Sequence, residues 1–405
     1  MSGPIGIKAF DAEKFSNEQI AEIRKVLGDE KAIIACSGGV DSTVCAALTH
    51  RAIGENLIAV FLDTGFMRLK EPEKVVKLLS SPPLGLSIKL VDVRKRFMKA
   101  LEGLVDAEEK RKAFRETFYK IFGETARKEG CRFLVQGTIA PDWIETKGGI
   151  KTQHNVLTQI GINPVEKYGF KVIEPLAYLY KDQVRQVARY LEVSSEISER
   201  QPFPGPGLSV RVVGLVRPQK LDSLKKATAI VEKALASAGF EQYFVAVIDS
   251  TVERNTVGSE MRETASKFFE IPASNIQINV LKSLATGVKG DIRSYGKMAV
   301  LTIRDKSKKI YKPPIETLTK LQVRLMSDNP QFTHILYSVT EKPRKKPYIA
   351  AVRAIKTRDF MTAEVAPISW GSLTKISNQI IKKCSNIATV CYDVTPKPPA
   401  TVEFE

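Results

Sequence analysis

An α/β protein is predicted, with a doubly wound parallel sheet first and then an α+β region that contains an internal duplication. Three observations carry this reading. Short apolar runs alternate with helical patterns from Phe10 to about Leu191. A Pro/Gly cluster, "QPFPGPGLS", breaks the chain at Gln201 to Ser209. Beyond it, Leu318 to Pro343 and Leu373 to Pro398 align at a constant offset of 55 without a gap.

The elements follow in order. "AEKFSNEQIAEIRKVLG" has apolar residues at helical spacing and reads as an amphipathic helix. "KAIIAC" reads as a buried strand and "TVCAALTHRAI" as the helix after it. "NLIAVFLD" is a second strand, "EPEKVVKLLSS" a helix, and "SIKLVDV" a third strand. "AEEKRKAFRETFYKIFGETARKEG" is a long helix and "RFLVQG" a fourth strand. Short buried strands separated by helices predict parallel pairing, with ligands at the carboxyl ends of strands where the strand order switches. The cluster at 201–209 holds three prolines and two glycines within six residues, which excludes helix and central strand. It marks a hinge, with domains expected at 1–207 and 208–405. In the second region, eight of the 26 aligned repeat positions are identical, against one or two expected from average composition. Two copies of a helix–strand unit are expected there, at about 288–343 and 348–405.

Composition narrows the class. The chain has 405 residues, 43% hydrophobic and 26% charged, as a globular protein of two or three domains would. No run approaches the roughly 18 apolar residues of a membrane span. The opening "MSGPIGIKAFDAEKF" has no signal-peptide pattern, and a cytoplasmic location is expected. Five scattered cysteines without a CxxC pair fit a reducing compartment and argue against structural zinc. A net charge of +17 favours anionic partners, but the lysines are dispersed and form no recognisable nucleic-acid motif.

Chemistry concentrates at "ACSGGVDST", Ala35 to Thr43, where a strand gives way to a helix. Gly38 and Gly39 let backbone N–H groups approach an anion, and the helix start adds a partial positive charge. Ser37 and Ser42 add hydroxyl donors, and the amide of Val40 lies between them in sequence. Asp41 at the mouth would repel phosphate unless Mg²⁺ stands between them. No lysine occupies the place it takes in the common G-x-x-x-x-G-K-[ST] phosphate loop. The stretch instead resembles the PP-loop of the ATP pyrophosphatase superfamily, whose members split ATP between its α and β phosphates and adenylate a substrate.

Further motifs choose within that superfamily. "FLDTGFMRLKEPEKV", "LVQGTIAPDWIET", "IKTQHNV", "KVIEPLAYLYKDQVR", "RQPFPGPGLSVRVVG", "GVKGDIRSYGKM" and "VCYDVTPKPPATVEFE" occur in this order. Together they resemble the synthetase part of GMP synthetase over about Phe10 to Glu405, weakly over about 249–284 and 305–328. The resemblance implies ATP-dependent, AMP-forming amination of xanthosine monophosphate (XMP) with ammonia, and Mg²⁺ as cofactor. Gly137 would let backbone approach the nucleotide. Asp142 and Glu145, with Asp41, would hold Mg²⁺. Lys151 and His154 would reach the pyrophosphate from a lid bounded by Gly148-Gly149, and Lys181 would add a second cation. Arg111, Arg293 and Lys397 are candidate clamps for XMP, and Glu403 a candidate acceptor from its ribose or base.

Three positions depart from the family pattern: Gln153 and Gln201 stand where histidine is usual, and Phe404 where tryptophan is. About 36 residues precede the loop, too few for a glutaminase domain, so ammonia or a separate glutaminase subunit is expected. In shorter relatives the carboxyl-terminal domain pairs with its copy in a second chain. Two copies in one chain predict that this pairing is internal and the protein a monomer. Two rivals remain: a tRNA-modifying enzyme on the same loop, which usually needs paired cysteines, and a non-catalytic binding protein with a relic loop.

Overall fold

The computed structural model describes residues 10–140, 170–253, 257–290, 292–341, 346–358 and 361–405. These divide into two compact units. One comprises Met1–Gly65, Lys70–Phe97 and Arg115–Gly205, and the other Phe66–Leu69, Met98–Phe114 and Pro206–Glu405. Arg111 thus belongs to the unit built mostly from the second half of the chain. No helix of the described residues is long and apolar enough to cross a membrane.

The first unit is the predicted parallel sheet. Its strands are β1 (Ala32–Ala35), β2 (Leu57–Asp63), β3 (Ile88–Asp92), β4 (Phe133–Val135) and β5 (Lys171–Ile173). They lie in the order β3-β2-β1-β4-β5, with every neighbouring pair parallel. The chain moves outward from β1 to β3 and then resumes on the other side at β4. That reversal puts the switch point at the carboxyl ends of β1 and β4. Helix α1 (Ala12–Leu27) starts where Asp11 accepts from the Lys14 amide at 3.0 Å and buries Ile23 and Leu27. Helix α2 (Val40–Ile53) is buried over most of its circumference, which explains its nearly uninterrupted small and apolar sequence. Helices α3 (Glu71–Ser80), α4 (Arg94–Ala100), α5 (Ala107–Glu129) and α6 (Lys181–Tyr190) follow.

The second unit is a strongly curled sheet. Strands β6 (Val212–Val213), β7 (Gln242–Asp249), β8 (Ile276–Lys289), β9 (Ile292–Ile303), β10 (Phe332–Glu341), β11 (Tyr348–Lys356) and β13 (Ile387–Asp393) lie in the order β6-β7-β11-β13-β10-β9-β8. Strand β12 (Glu364–Val365) pairs with β11. Helices α7 (Pro218–Leu235) and α8 (Val257–Phe269) flank β7 in sequence. Just beyond β7, Val252 bridges antiparallel to Leu281 of β8, so the sheet rolls back on itself. The Glu253 amide donates to the Val280 carbonyl at 2.8 Å and the Lys282 amide to the Thr251 carbonyl at 2.9 Å across that seam. The apolar interior draws on Val213, Phe244, Leu281, Met298, Leu336, Ile349 and Cys391, one from each main strand, together with Phe404.

The internal similarity is visible in the elements. Helix α9 (Ile315–Ser327) begins 55 residues before helix α10 (Trp370–Lys383), as β10 does before β13. Strand β9 is parallel to β10, and β11 is parallel to β13. The two repeat copies meet where β10 and β13 pair antiparallel, with Leu336 opposite Asp393, Tyr337 opposite Tyr392 and Ser338 opposite Cys391. Tyr337 and Tyr392 are equivalent positions at the offset of 55, so a local two-fold axis runs between them.

Candidate active site

Strand β1 ends at Ala35, and the Cys36 amide still donates to the Val60 carbonyl at 2.8 Å. The backbone then turns through Gly38, whose φ of +78° favours glycine. A Cβ there would also lie 2.7 Å from Val75 Cγ2. The loop is braced from within. Ser37 Oγ lies 3.1 Å from Ser42 Oγ, and the Gly39 amide donates to Ser37 Oγ at 3.3 Å. Ser42 Oγ and Thr43 Oγ1 both donate to the Gly39 carbonyl, at 3.1 and 2.9 Å. Gly39 caps α2 without a side-chain hydrogen bond, so the first-turn amides around Val40, Asp41 and Ser42 have no capping partner. Such a helix start, with unpaired amides at the carboxyl end of a parallel strand, has the chemistry to receive an anion.

Gly137, just after β4, faces the same helix start. A Cβ there would come within 3.1 Å of Asp41 C and Ser42 N. Its lack of a side chain therefore serves a close approach to the first turn of α2. Lys181, the first residue of α6, donates to both carboxylate oxygens of Asp41, at 2.9 and 2.7 Å. Asp41, Lys181 and Gly137 are brought together across 140 residues of sequence. Asp142, Glu145, Lys151, Gln153 and His154 lie outside the described residues. Among the described residues no group of three or more His, Cys, Asp or Glu could hold a metal ion. Asp41 supplies a hard carboxylate oxygen of the kind Mg²⁺ takes, so it fits the metal as one member of a set.

The thiols near the loop are inert. Cys36 and Cys45 are buried, and burial pushes the Cys36 thiol up to about 12. Cys45 is raised well above its ordinary value by burial first and by the Asp41 charge second. Neither would be a thiolate at neutral pH.

In the second unit, Arg293 Nη1 donates to Glu108 Oε1 at 2.8 Å, and Arg111 Nη1 lies 3.5 Å from the same oxygen. Tyr295 Oη donates to it as well, at 2.6 Å. Burial opposes the Glu108 carboxylate, but the Tyr295 and Arg293 hydrogen bonds and the Arg111 charge hold its pKa below the ordinary value. Arg111 is 9% exposed, and burial and then the Arg293 charge lower its pKa. Glu108 and Glu403 act on Arg111 in the opposite sense.

The tail is anchored in the core at Thr395, Ala400, Phe404 and Glu405. The Val288 amide donates to the Pro399 carbonyl and the Thr286 amide to the Phe404 carbonyl, both at 2.8 Å, so the tail lies along β8. Phe404 is fully buried, stacked 4.4 Å from the His334 ring and edge-on to Phe244. Glu403 is held by Arg211 through two hydrogen bonds of 2.8 and 2.7 Å and by Gln242 at 3.0 Å. Glu405 pairs with Lys110 and accepts the Gly214 amide at 2.8 Å. Burial nevertheless raises Glu405 to about 6. The Lys397 backbone is paired in both directions with Ala363. Arg293 and Glu403 thus each act electrostatically on Arg111, while Lys397 is fixed through its main chain. Sequence reasoning missed Glu108, Lys110, Arg211 and Gln242. Nothing local separates a buried Lys110 from its neighbour Lys112 in "EEKRKAF".

Comparison with known proteins gives concordant matches. The PP-loop domain model matches residues 12–195, and the GMP synthase C terminal domain model matches 343–404. The chain is 44% identical to a subunit of the glutamine-hydrolyzing GMP synthase of Sulfurisphaera tokodaii, over 98% of this chain and 100% of that protein. It is 45% identical to the protein of the same name from Saccharolobus solfataricus, with the same two coverages. The Archaeoglobus fulgidus protein of that name is 40% identical, again over 98% of this chain and 100% of its own length.

Proposed function

The chain belongs to this family of subunits of glutamine-hydrolysing GMP synthase, and from that premise we propose that it aminates XMP to GMP with ATP and ammonia. The observation that carries this reading is the uncapped start of α2 behind Ser37-Gly38-Gly39, with Asp41 and Lys181 paired at its mouth. The base oxygen of XMP attacks the α phosphorus of ATP, and the bond to pyrophosphate breaks. Ammonia then adds to the adenylated carbon, AMP leaves with that oxygen, and a proton is lost to solvent. The loop amides with Ser37 and Ser42 hold the leaving phosphates. Lys181, Lys151 and His154 offset the charge that develops on them, so rate comes from positioning and electrostatics. Asp41, Asp142 and Glu145 would hold Mg²⁺, which supplies charge neutralisation to the phosphates when bound. Arg111, Arg293, Lys397 and Glu403 take the XMP, Glu403 after reorganising its contacts with Arg211. Residues 1–207 carry adenylation, and 208–405 together with Arg111 carry XMP recognition.

The test is direct. Protein incubated with ATP, XMP, Mg²⁺ and ammonium should yield AMP and GMP in equal amounts. Glutamine in place of ammonium should yield none, because the ammonia comes from a separate glutaminase subunit, both working in the cytoplasm. GMP made from glutamine by the purified chain would overturn that partner assignment. AMP release that depends on tRNA and not on XMP would favour the modifying-enzyme reading, which the two buried thiols disfavour.

Oligomeric state gives a second expected result. The antiparallel pairing about Tyr337 and Tyr392 brings two equivalent surfaces together within one chain. Light scattering should therefore find a monomer, with and without XMP. An obligate dimer under both conditions would contradict the idea that the duplication replaces a partner.

A further inference from the structure

We propose that Glu108 is a built-in stand-in for the substrate's phosphate, and that the need to displace it decides which anions the site accepts. The inference rests on the reading of Arg111 and Arg293 as part of the XMP clamp. A single atom, Glu108 Oε1, lies 2.8 Å from Arg293 Nη1, 2.6 Å from Tyr295 Oη and 3.5 Å from Arg111 Nη1. Donors from α5 and β9 converge on it as they would on a phosphate oxygen. The two guanidinium groups are close enough to disfavour each other's charge, and Glu108 offsets one of the two positive charges when no substrate is present.

The carboxylate is placed to leave. The Glu108 side chain is 46% exposed, against 9% for Arg111 and 30% for Arg293, so the anion sits outermost and the cations beneath it. The Glu108 amide is held by Asp106 Oδ1 at 2.9 Å, which fixes the backbone and leaves rotation of the side chain as the only movement needed. An incoming anion must displace one carboxylate already in contact with three donors. A phosphate dianion offers two charges and three oxygens and does so. A nucleoside without a phosphate, or a monoanion, does not.

The experiment measures XMP and inorganic sulfate binding to the whole chain by calorimetry, for wild type, Glu108→Gln, Glu108→Asp and Arg293→Ala. Glu108→Gln keeps the shape and a hydrogen bond to Tyr295 but lacks the competing charge. It should bind XMP about three- to tenfold more tightly, as expected for removing a half-exposed ion pair and its hydrogen bonds. Sulfate binding should strengthen by a similar factor and ATP binding should not change. Glu108→Asp should stay within about twofold of wild type, and Arg293→Ala should weaken XMP binding. A merely structural Glu108 predicts weaker XMP binding in Glu108→Gln, and that result, or no change, overturns the proposal. If Arg293→Ala leaves XMP binding intact, the clamp reading falls and the stand-in falls with it. If Arg293→Ala weakens binding but Glu108→Gln fails to strengthen it, only the stand-in is wrong.

Discussion

Lys181→Ala is expected to lower kcat by about two to three orders of magnitude, the usual loss when a charge aimed at a developing anion is removed. Its KM for XMP should be unchanged, because the XMP clamp lies in other residues. Lys181 Nζ sits within 2.9 Å of both Asp41 oxygens in the first turn of α2. Without it, Asp41 presents an uncompensated carboxylate at the loop that the proposed reaction uses to release pyrophosphate. The loss is one of rate rather than fold: the side chains of Lys181 and Asp41 are 43% and 26% exposed, and a pair so wet contributes under about 1 kcal/mol to stability. Asp41→Asn should also impair turnover, through weaker Mg²⁺-dependent use of ATP. Groups that act as a unit are not additive, so the double variant should be little worse than the poorer single one. Pyrophosphate release at saturating ATP and XMP measures all three. A Lys181→Ala enzyme within about twofold of wild type would reduce the pair to a surface salt bridge.

How much of this was legible in the sequence depends on the range of the contacts involved. Four of the five strands of the parallel sheet were legible as local runs: "KAIIAC" contains β1, "NLIAVFLD" contains β2, "SIKLVDV" contains β3 and "RFLVQG" contains β4, whereas the three-residue β5 was too short to stand out. The turn at Gly38 and the start of α2 were legible because glycine and hydroxyl chemistry acts within a short span of chain. The similarity at an offset of 55 needed only the chain compared with itself. The closure of the second sheet was not legible. It depends on Val252 meeting Leu281 in a stretch of weak resemblance, and no local rule pairs them. Nor was the fate of the tail. Pro398-Pro399 before "ATVEFE" favour a closing segment over a loose one, but nothing local shows that Phe404 and Glu405 are buried, or that Arg211 and Lys110, 192 and 295 residues from their carboxylate partners, supply the compensating charges. Burying a carboxylate costs too much without such partners, and partners at that separation leave no periodic trace.

Asp393→Asn is expected to destabilise the second unit by about 3–5 kcal/mol, the cost of stripping one member from a buried charge cluster. Asp393 Oδ2 accepts from Arg353 Nη1 at 2.5 Å and from His334 Nδ1 at 2.8 Å. His334 Nε2 also faces an acceptor, the Thr286 carbonyl at 3.2 Å. All three side chains are at most 1% exposed, so no water replaces a lost partner. Burial works against the Asp393 carboxylate, but the Arg353 charge and then His334 outweigh it and hold its pKa below the ordinary value. A depressed carboxyl stabilises the fold above its unfolded pKa of about 4 and loses that contribution as pH falls through the lower folded value. Wild type should therefore weaken in acid below about pH 4, and Asp393→Asn should show a shallower acid limb, the remainder coming from other depressed carboxyls such as Glu108. The measurement is urea unfolding at neutral and acid pH in a Trp143→Phe background. That leaves Trp370, one of the chain's two tryptophans, as the reporter. Trp370 Nε1 donates to the Pro313 carbonyl at 2.6 Å and its ring meets Tyr337 edge-on, so its emission follows packing in the second unit. Arg353 also donates to the carbonyls of Thr395, Thr401 and Val402, which ties the cluster to the tail. Asp393→Asn should consequently weaken XMP binding under conditions where the protein is still folded. A loss below about 1 kcal/mol with an intact acid limb would mean that the cluster neither holds the sheet together nor seats the tail.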